Sequence, residues 1–128
     1  GDAMILLDTD IFIDYLRNFK PTLDFFESLQ QRENVFFSAI TEAELIAGSA
    51  NDNPEKKEVL MRFLFCWNKI DVTNPIAVMA GDLKRKHNIL LPDAIIAATV
   101  LLHHDMELLT RNVKDFKKIK GLIVKAPY

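Results

Sequence analysis

The sequence predicts an α/β fold in three layers, a central parallel sheet flanked by helices. Short apolar or β-branched runs alternate along the chain with longer stretches whose apolar residues recur at helical spacing, the pattern of strands and crossover helices. The first of these runs, Met4 to Leu7, is broken at once by Asp8-Thr9-Asp10, as expected of a buried strand ending in a polar crevice. No repeat, low-complexity segment or linker interrupts the 128 residues, a length that suits one domain with a single well-buried core. Gly1 to Ala3 precede Met4 and read as a remnant of expression, so the domain is taken as residues 4–128.

Taken in order, Met4 to Leu7 is the first strand, and a helix follows with Asp10 as its N-cap and Ile11, Tyr15 and Leu16 near one face. Phe19 to Pro21 breaks the pattern. Thr22 caps a second helix to about Arg32, on which Leu23, Phe26 and Leu29 or Gln30 share a side. Val35 to Phe37 is the second strand. Thr41 starts a helix ending near Gly48, and Asp52-Asn53-Pro54 starts another, with Val59, Leu60, Phe63, Leu64 and Trp67 on its apolar side. Ile70 to Val72 is a third strand. Thr73-Asn74-Pro75 opens a helix to about His87, and Pro92 opens the next, to about His103. Leu108 and Leu109 form a strand edge, Val113 to Lys118 a helical turn, and Leu122 to Val124 the last strand. Phe36, Phe37, Phe63, Phe65 and Phe116 are read as core, and Cys66, inside an apolar helical stretch, as a core filler.

Composition narrows the function classes. Hydrophobic residues are 49% and charged residues 27%, which excludes a disordered chain. A single cysteine excludes an internal disulfide and fits a reducing, cytoplasmic setting. The most apolar stretch, Ala94 to Leu102, is too short to span a membrane. Net charge is −2, but it is unevenly held: residues 1–55 carry 11 acids and 3 bases, and residues 56–128 carry 7 acids and 13 bases. One acidic and one basic surface would follow from that split.

Four acids fall at strand ends or helix starts: Asp8, Glu44, Asp93 and Asp115. Three have an ordinary structural reading. Thr41 and Glu44 are spaced as a capping box, Asp93 sits in a first helical turn where a carboxylate favours the dipole, and Asp115 can be a surface acid. Asp8 has the weakest such reading, because it ends an apolar strand. Strand ends and helix starts on one edge of a parallel sheet face a common crevice, and several carboxylates there repel without a cation. Oxygen ligands without a His or Cys cluster suit Mg²⁺ or Mn²⁺, and such ions serve phosphodiester hydrolysis.

LLDTDIFIDYL, SAITEAELIAG, LPDAIIAAT and LLTRNVKDF, in that order, resemble the four acidic motifs of PIN-domain ribonucleases, most closely the VapC-type toxins of toxin–antitoxin pairs, over Met4 to Val124. The resemblance implies a PIN-like fold and a Mg²⁺- or Mn²⁺-dependent endoribonuclease in which Asp8, Glu44 and Asp93 ligate the metal. It implies a fourth group from the last motif, with Asp115 chosen over Asn112. Asp10, where the family commonly has Asn, could touch metal-bound water or cap the helix. Thr9 and Thr110 match hydroxyl positions that would orient ligands. A homodimer and a cognate antitoxin are further implications, with an antitoxin arginine plugging the site. The basic tail, with Arg111, Lys114, Lys117, Lys118, Lys120 and Lys125, either holds RNA phosphates or is a solvated face. His87, His103 and His104 read as helix-end residues. Two other classes stand beside this reading. Asp8-Thr9-Asp10 also resembles the D-x-D of haloacid-dehalogenase-like phosphatases, and a PIN-like interaction module would bind a partner without cutting RNA.

Overall fold

In a computed structural model, which describes residues 3–128, five parallel strands form one sheet in the order β3-β2-β1-β4-β5. The reading of residues 1–3 as an expression remnant falls mainly on residues 1 and 2, outside the described residues. The strands are β1 (Met4–Leu7), β2 (Val35–Ser38), β3 (Asn68–Ile70), β4 (Met106–Leu109) and β5 (Val124–Lys125). The helices are α1 (Thr9–Leu16), α2 (Lys20–Ser28), α3 (Ala39–Ile46), α4 (Pro54–Phe65), α5 (Asn74–His87), α6 (Leu91–Leu101) and α7 (Val113–Phe116), with a 3₁₀ turn at Ser49–Asp52.

The sheet is apolar on both faces because both are covered, as parallel sheets require. Leu6 and Leu108 face Ile76, Ala80, Ala94 and Ala97 of α5 and α6. Ile5, Leu7 and Leu109 face Ile11, Phe12, Phe26, Leu60 and Leu64 on the other side. Phe12 is the hub of that second core, with ring centroids 5.6 Å from Phe37, 5.7 Å from Phe26 and 6.1 Å from Phe63. The chain builds outward from β1 in one direction through β2 and β3, then returns to β1's other side for β4 and β5. The switch point of the sheet therefore lies between the carboxyl ends of β1 and β4, where open α/β sheets bind ligands.

Several elements start or end elsewhere than the sequence suggests. Helix α1 is capped by Asp8, whose carboxylate accepts from the Thr9 backbone N–H, so Asp10 lies inside the first turn instead of before it. Helix α3 begins at Ala39, capped by Ser38 Oγ at 3.1 Å from the Ile40 N–H; strand and helix share no loop, and Thr41 is left inside the helix and buried. The Thr41–Glu44 capping box does not form. Helix α2 starts at Lys20, and Thr22 is a buried position within it whose hydroxyl donates to Tyr128. Strand β3 sits at Asn68–Ile70 because the Asn68 amide donates to the carbonyls of Glu33 and Val35, which pulls residues 68–70 beside Phe36–Ser38. Strand β4 is interior and extends back to Met106, which pairs with Met4. The last strand is Val124–Lys125, two residues later than expected at its start. Phe65 is 91% exposed and Cys66 is exposed, since helix α4 turns its Leu60 and Leu64 side inward.

Phe12→Ala should lower unfolding stability by about 3–5 kcal/mol, the range for emptying a large core site. Phe65→Ala should stay within about 0.5 kcal/mol of the parent. Denaturant unfolding of both variants checks the assignment of the two phenylalanines.

Candidate active site

Asp8 leaves β1 in an extended conformation and is 5% exposed. Its Oδ1 accepts from the Thr9 N–H at 2.8 Å and its Oδ2 from Thr110 Oγ1 at 2.7 Å. Thr110 follows β4 directly, so the switch point is bridged by a hydroxyl from one strand and a carboxylate from the next. Thr110 shares its proton with Asp10 Oδ2 at 3.3 Å, and the Arg111 N–H donates to the same oxygen at 3.1 Å. Asp10 Oδ1 is buried and has no partner among the described residues.

The second side of the crevice comes from α3. Glu44 Oε1 accepts from Thr9 Oγ1 at 2.8 Å, and Thr9 Oγ1 lies 2.8 Å from Thr41 Oγ1. A hydroxyl has one proton, so Thr9 gives its own to Glu44 and accepts from Thr41. Thr41 thus supports the site and does not cap its helix. Asp93 stands half-buried in the first turn of α6. Asp115, on α7, is exposed and accepts from Asn112 Nδ2 at 3.0 Å, while the Asn112 N–H returns to Thr110 Oγ1.

Mutual repulsion shows that these acids share one field. Burial chiefly pushes the Asp8 carboxyl up, to about 7, with Asp10 adding to it and the bonds from Thr110 and Thr9 opposing. Burial also raises Asp10 against the bonds from Arg111 and Thr110. Asp93 is raised by burial and then by Glu44, Asp115 and Asp10. Asp8, Asp10, Glu44, Asp93 and Asp115, from four segments, therefore lie near enough to repel one another at the carboxyl edge of the sheet. No three His, Cys, Asp or Glu side chains among the described residues converge as a finished ligand cage. A hard divalent cation does not need one, because Mg²⁺ keeps several waters and takes one or two carboxylates directly. The all-oxygen donor set, the raised carboxyls and the orphaned Asp10 Oδ1 fit such an ion.

A PIN-domain family model matches residues 5–122. The chain belongs to the PIN-domain family. Ribonuclease VapC10 of Mycobacterium tuberculosis is 36% identical to this PIN domain over 124 residues, 93% of this chain and 90% of that protein. Among solved structures, a toxin–antitoxin complex from Klebsiella pneumoniae superposes with a TM-score of 0.79 at 33% identity, covering 97% of this chain and 98% of that one. FitAcB from Neisseria gonorrhoeae superposes at 0.75 with 29% identity, over 97% and 98% of the two chains.

The remaining candidate residues of the PIN domain are dispersed. Arg111 is turned to Asp14, with Nη1 3.0 Å from both carboxylate oxygens, and Lys125 pairs with Glu107 at 2.9 Å. Lys114, Lys117, Lys118 and Lys120 lie at the surface on and after α7, with no ion pair among the described residues. No described hydrogen bond joins a histidine to the carboxylates; His103 Nδ1 lies 2.6 Å from the Thr99 carbonyl. Sequence reasoning misses Asp14 and Tyr128. Asp14 has a readable signal, four residues after Asp10 on one helix face, whereas Tyr128 has none.

The Asp8 carboxyl ionises near 3.8 when unfolded and near 7 when folded, so the folded state holds the extra proton between those values. In chelator, its contribution to stability should fall as pH rises from 3.8 towards 7. Asp8→Asn should therefore gain on the parent across that window, by a few kcal/mol at most. Denaturant titrations of both proteins at several pH values measure the difference; a constant difference would contradict it.

Proposed function

We propose that this PIN domain is a metal-dependent endoribonuclease, the toxin of a VapBC-type toxin–antitoxin pair. The observation that carries the reading is the set of carboxylates at the switch point, with Asp8 and Asp10 bonded to Thr110 and Glu44 to Thr9. The similar Ribonuclease VapC10 and the toxin–antitoxin complex of the same fold support the substrate class and the partner. In this reading Asp8, Glu44, Asp93 and Asp115 hold Mg²⁺ or Mn²⁺. A bound ion of this kind polarises the scissile phosphate and lowers the pKa of an attacking water.

The protein's own groups then do the positioning. Thr110 fixes Asp8 Oδ2 and Thr9 fixes Glu44 Oε1, so the carboxylates keep their orientation before substrate arrives. Asn112 Nδ2 donates to Asp115 at 3.0 Å, which supports reading Asn112 as the orienting partner and Asp115 as the ligand. Asp10 keeps one unsatisfied acceptor at the floor of the crevice. In-line displacement leaves a 5′-phosphate and a 3′-hydroxyl. Lys114, Lys117 and Lys118, beside Asp115 on and after α7, are placed to meet RNA phosphates; Arg111 is withdrawn from that role by Asp14.

A groove of about 830 Å³ runs between α1 and α4, lined by Ile13, Leu16, Leu45, Val59 and Leu60, with Glu44 in its wall. An antitoxin segment lying in it would bring an arginine to the carboxylates, and a homodimer carrying two such grooves completes the proposed assembly. No helix among the described residues is long and apolar enough to cross a membrane. With a free cysteine and an RNA substrate, we place the reaction in the cytoplasm. The aspartyl-nucleophile alternative has no support here, since the chain matches the PIN model over residues 5–122.

Incubation with RNA in Mg²⁺, Mn²⁺ or chelator tests the proposal. Cleavage should need the metal, and Asp8→Asn and Asp93→Asn should each lower it at least ~10²-fold while the proteins stay folded. Full activity in chelator, or in folded Asp8→Asn, would end the proposal; inactivity of the parent protein with every RNA would favour an interaction module. Replacing Lys114, Lys117 and Lys118 by Ala should make the salt dependence of RNA binding shallower, by roughly 0.7 in slope for each phosphate that is no longer neutralised.

A further inference from the structure

We propose that Asp14, Arg111 and Tyr128 form a clamp that fixes the 110–112 loop against Asp8 and Asp10, making these three positioning residues of the site beside Thr9, Thr110 and Asn112. The proposal rests on the nuclease reading above and deepens it, because it assigns to Arg111 a task other than holding RNA.

Asp14 is 6% exposed, and a carboxylate so buried needs compensation. Its compensation comes from two directions. Arg111 Nη1 reaches both oxygens at 3.0 Å, and Tyr128 Oη donates to Oδ2 at 2.8 Å. Tyr128 Oη in turn accepts from Thr22 Oγ1 at 2.8 Å, which orients the phenol proton towards Asp14. The ring of Phe19 lies 5.9 Å from the Arg111 guanidinium and 5.9 Å from the Tyr128 ring, so it borders both partners of Asp14.

Geometry links this cluster to the chemistry. Asp10 and Asp14 are one turn apart on α1 and point the same way. Arg111 spans both, with its backbone N–H on Asp10 and its guanidinium on Asp14. Its neighbour Thr110 holds Asp8, and Asn112 holds Asp115. On its other side the loop is tied by the Thr110 N–H to the Lys125 carbonyl. Releasing the guanidinium from Asp14 frees one edge of a three-residue loop that orients three of the five acids. A bound cation would then meet carboxylates that are no longer held in place, while the lysines that face RNA are unchanged.

The test uses Arg111→Ala, Arg111→Lys, Asp14→Asn and Tyr128→Phe, with three readouts: kcat and KM on RNA, the Mn²⁺ concentration for half-maximal rate, and the Mn²⁺-induced rise in melting temperature without RNA. Loss of an orienting partner lowers metal affinity or activity by about 10–100-fold. The expected result is that size of fall in kcat, a matching rise in the Mn²⁺ requirement and a smaller melting response. KM and the salt dependence of RNA binding should stay at parent values. Arg111→Lys should fail like Arg111→Ala, because an ammonium lacks the planar shape that meets Asp14 and Phe19 together. The Asp14→Asn/Arg111→Ala double variant should be no worse than its worse parent, since both break one clamp. Tyr128→Phe should show a milder loss of the same kind.

Two outcomes overturn the proposal. If Arg111→Lys keeps kcat and the metal response while Arg111→Ala raises KM and flattens the salt dependence, Arg111 is a phosphate contact. If the variants only melt lower in chelator, with kcat and Mn²⁺ response intact, the cluster is scaffold. A parent protein that cuts no RNA defeats the nuclease reading, and the melting response to Mn²⁺ still decides the clamp.

Discussion

Asp8 ends the central strand of the sheet, and its carboxylate has nowhere to go. Solvent hardly reaches it, and the nearest charges are other carboxylates. Much of the architecture around it answers that constraint. Thr9 N–H and Thr110 Oγ1 satisfy its two oxygens, and the latter arrives from a strand that pairs with β1 only in the folded sheet. The same threonine and its neighbour Arg111 then serve Asp10, and Thr9 serves Glu44. Hydroxyls recur at these joints because one oxygen both donates and accepts without adding charge. Carboxylates need donors, and lysines in their place would quench the field that attracts a cation.

How much of this was legible in the sequence depends on distance along the chain. The strand–helix alternation, the apolar run before Asp8 and the proline-marked starts of α4, α5 and α6 are local signals, and they placed the layers and the four acidic segments correctly. Boundaries failed where tertiary contacts outvoted local propensity. Thr41 and Glu44 have capping-box spacing, yet Ser38 lies directly at the end of the strand and caps first, which releases both for the site. Asn68 was illegible for a similar reason: its amide reaches carbonyls more than thirty residues away. Phe65 reads as core by type, and only the rotation of α4 about its axis tells that it faces outward.

The uneven charge of the two halves also finds its place. The acid-rich first half supplies Asp8, Asp10, Asp14 and Glu44, while the second supplies Asp93, Asp115 and the surface lysines on and after α7. The halves are interleaved in the sheet, since β1 lies between β2 from its own half and β4 from the other. Acidic floor and basic margin therefore border each other at one edge of the molecule. An anionic polymer would be drawn to the margin and repelled by the floor.

The bond between Thr110 and Asp8 closes a span of 102 residues. Chains are synthesised from the amino end, and domains fold as their last elements emerge. While β4 and the threonine behind it are still within the ribosome, Asp8 has neither its neighbouring strand nor its second hydrogen-bond donor, and Asp93 has only just been added. A nascent copy thus carries most of its acids but no assembled crevice. Closure of the crevice therefore waits on the carboxyl-terminal part of the chain.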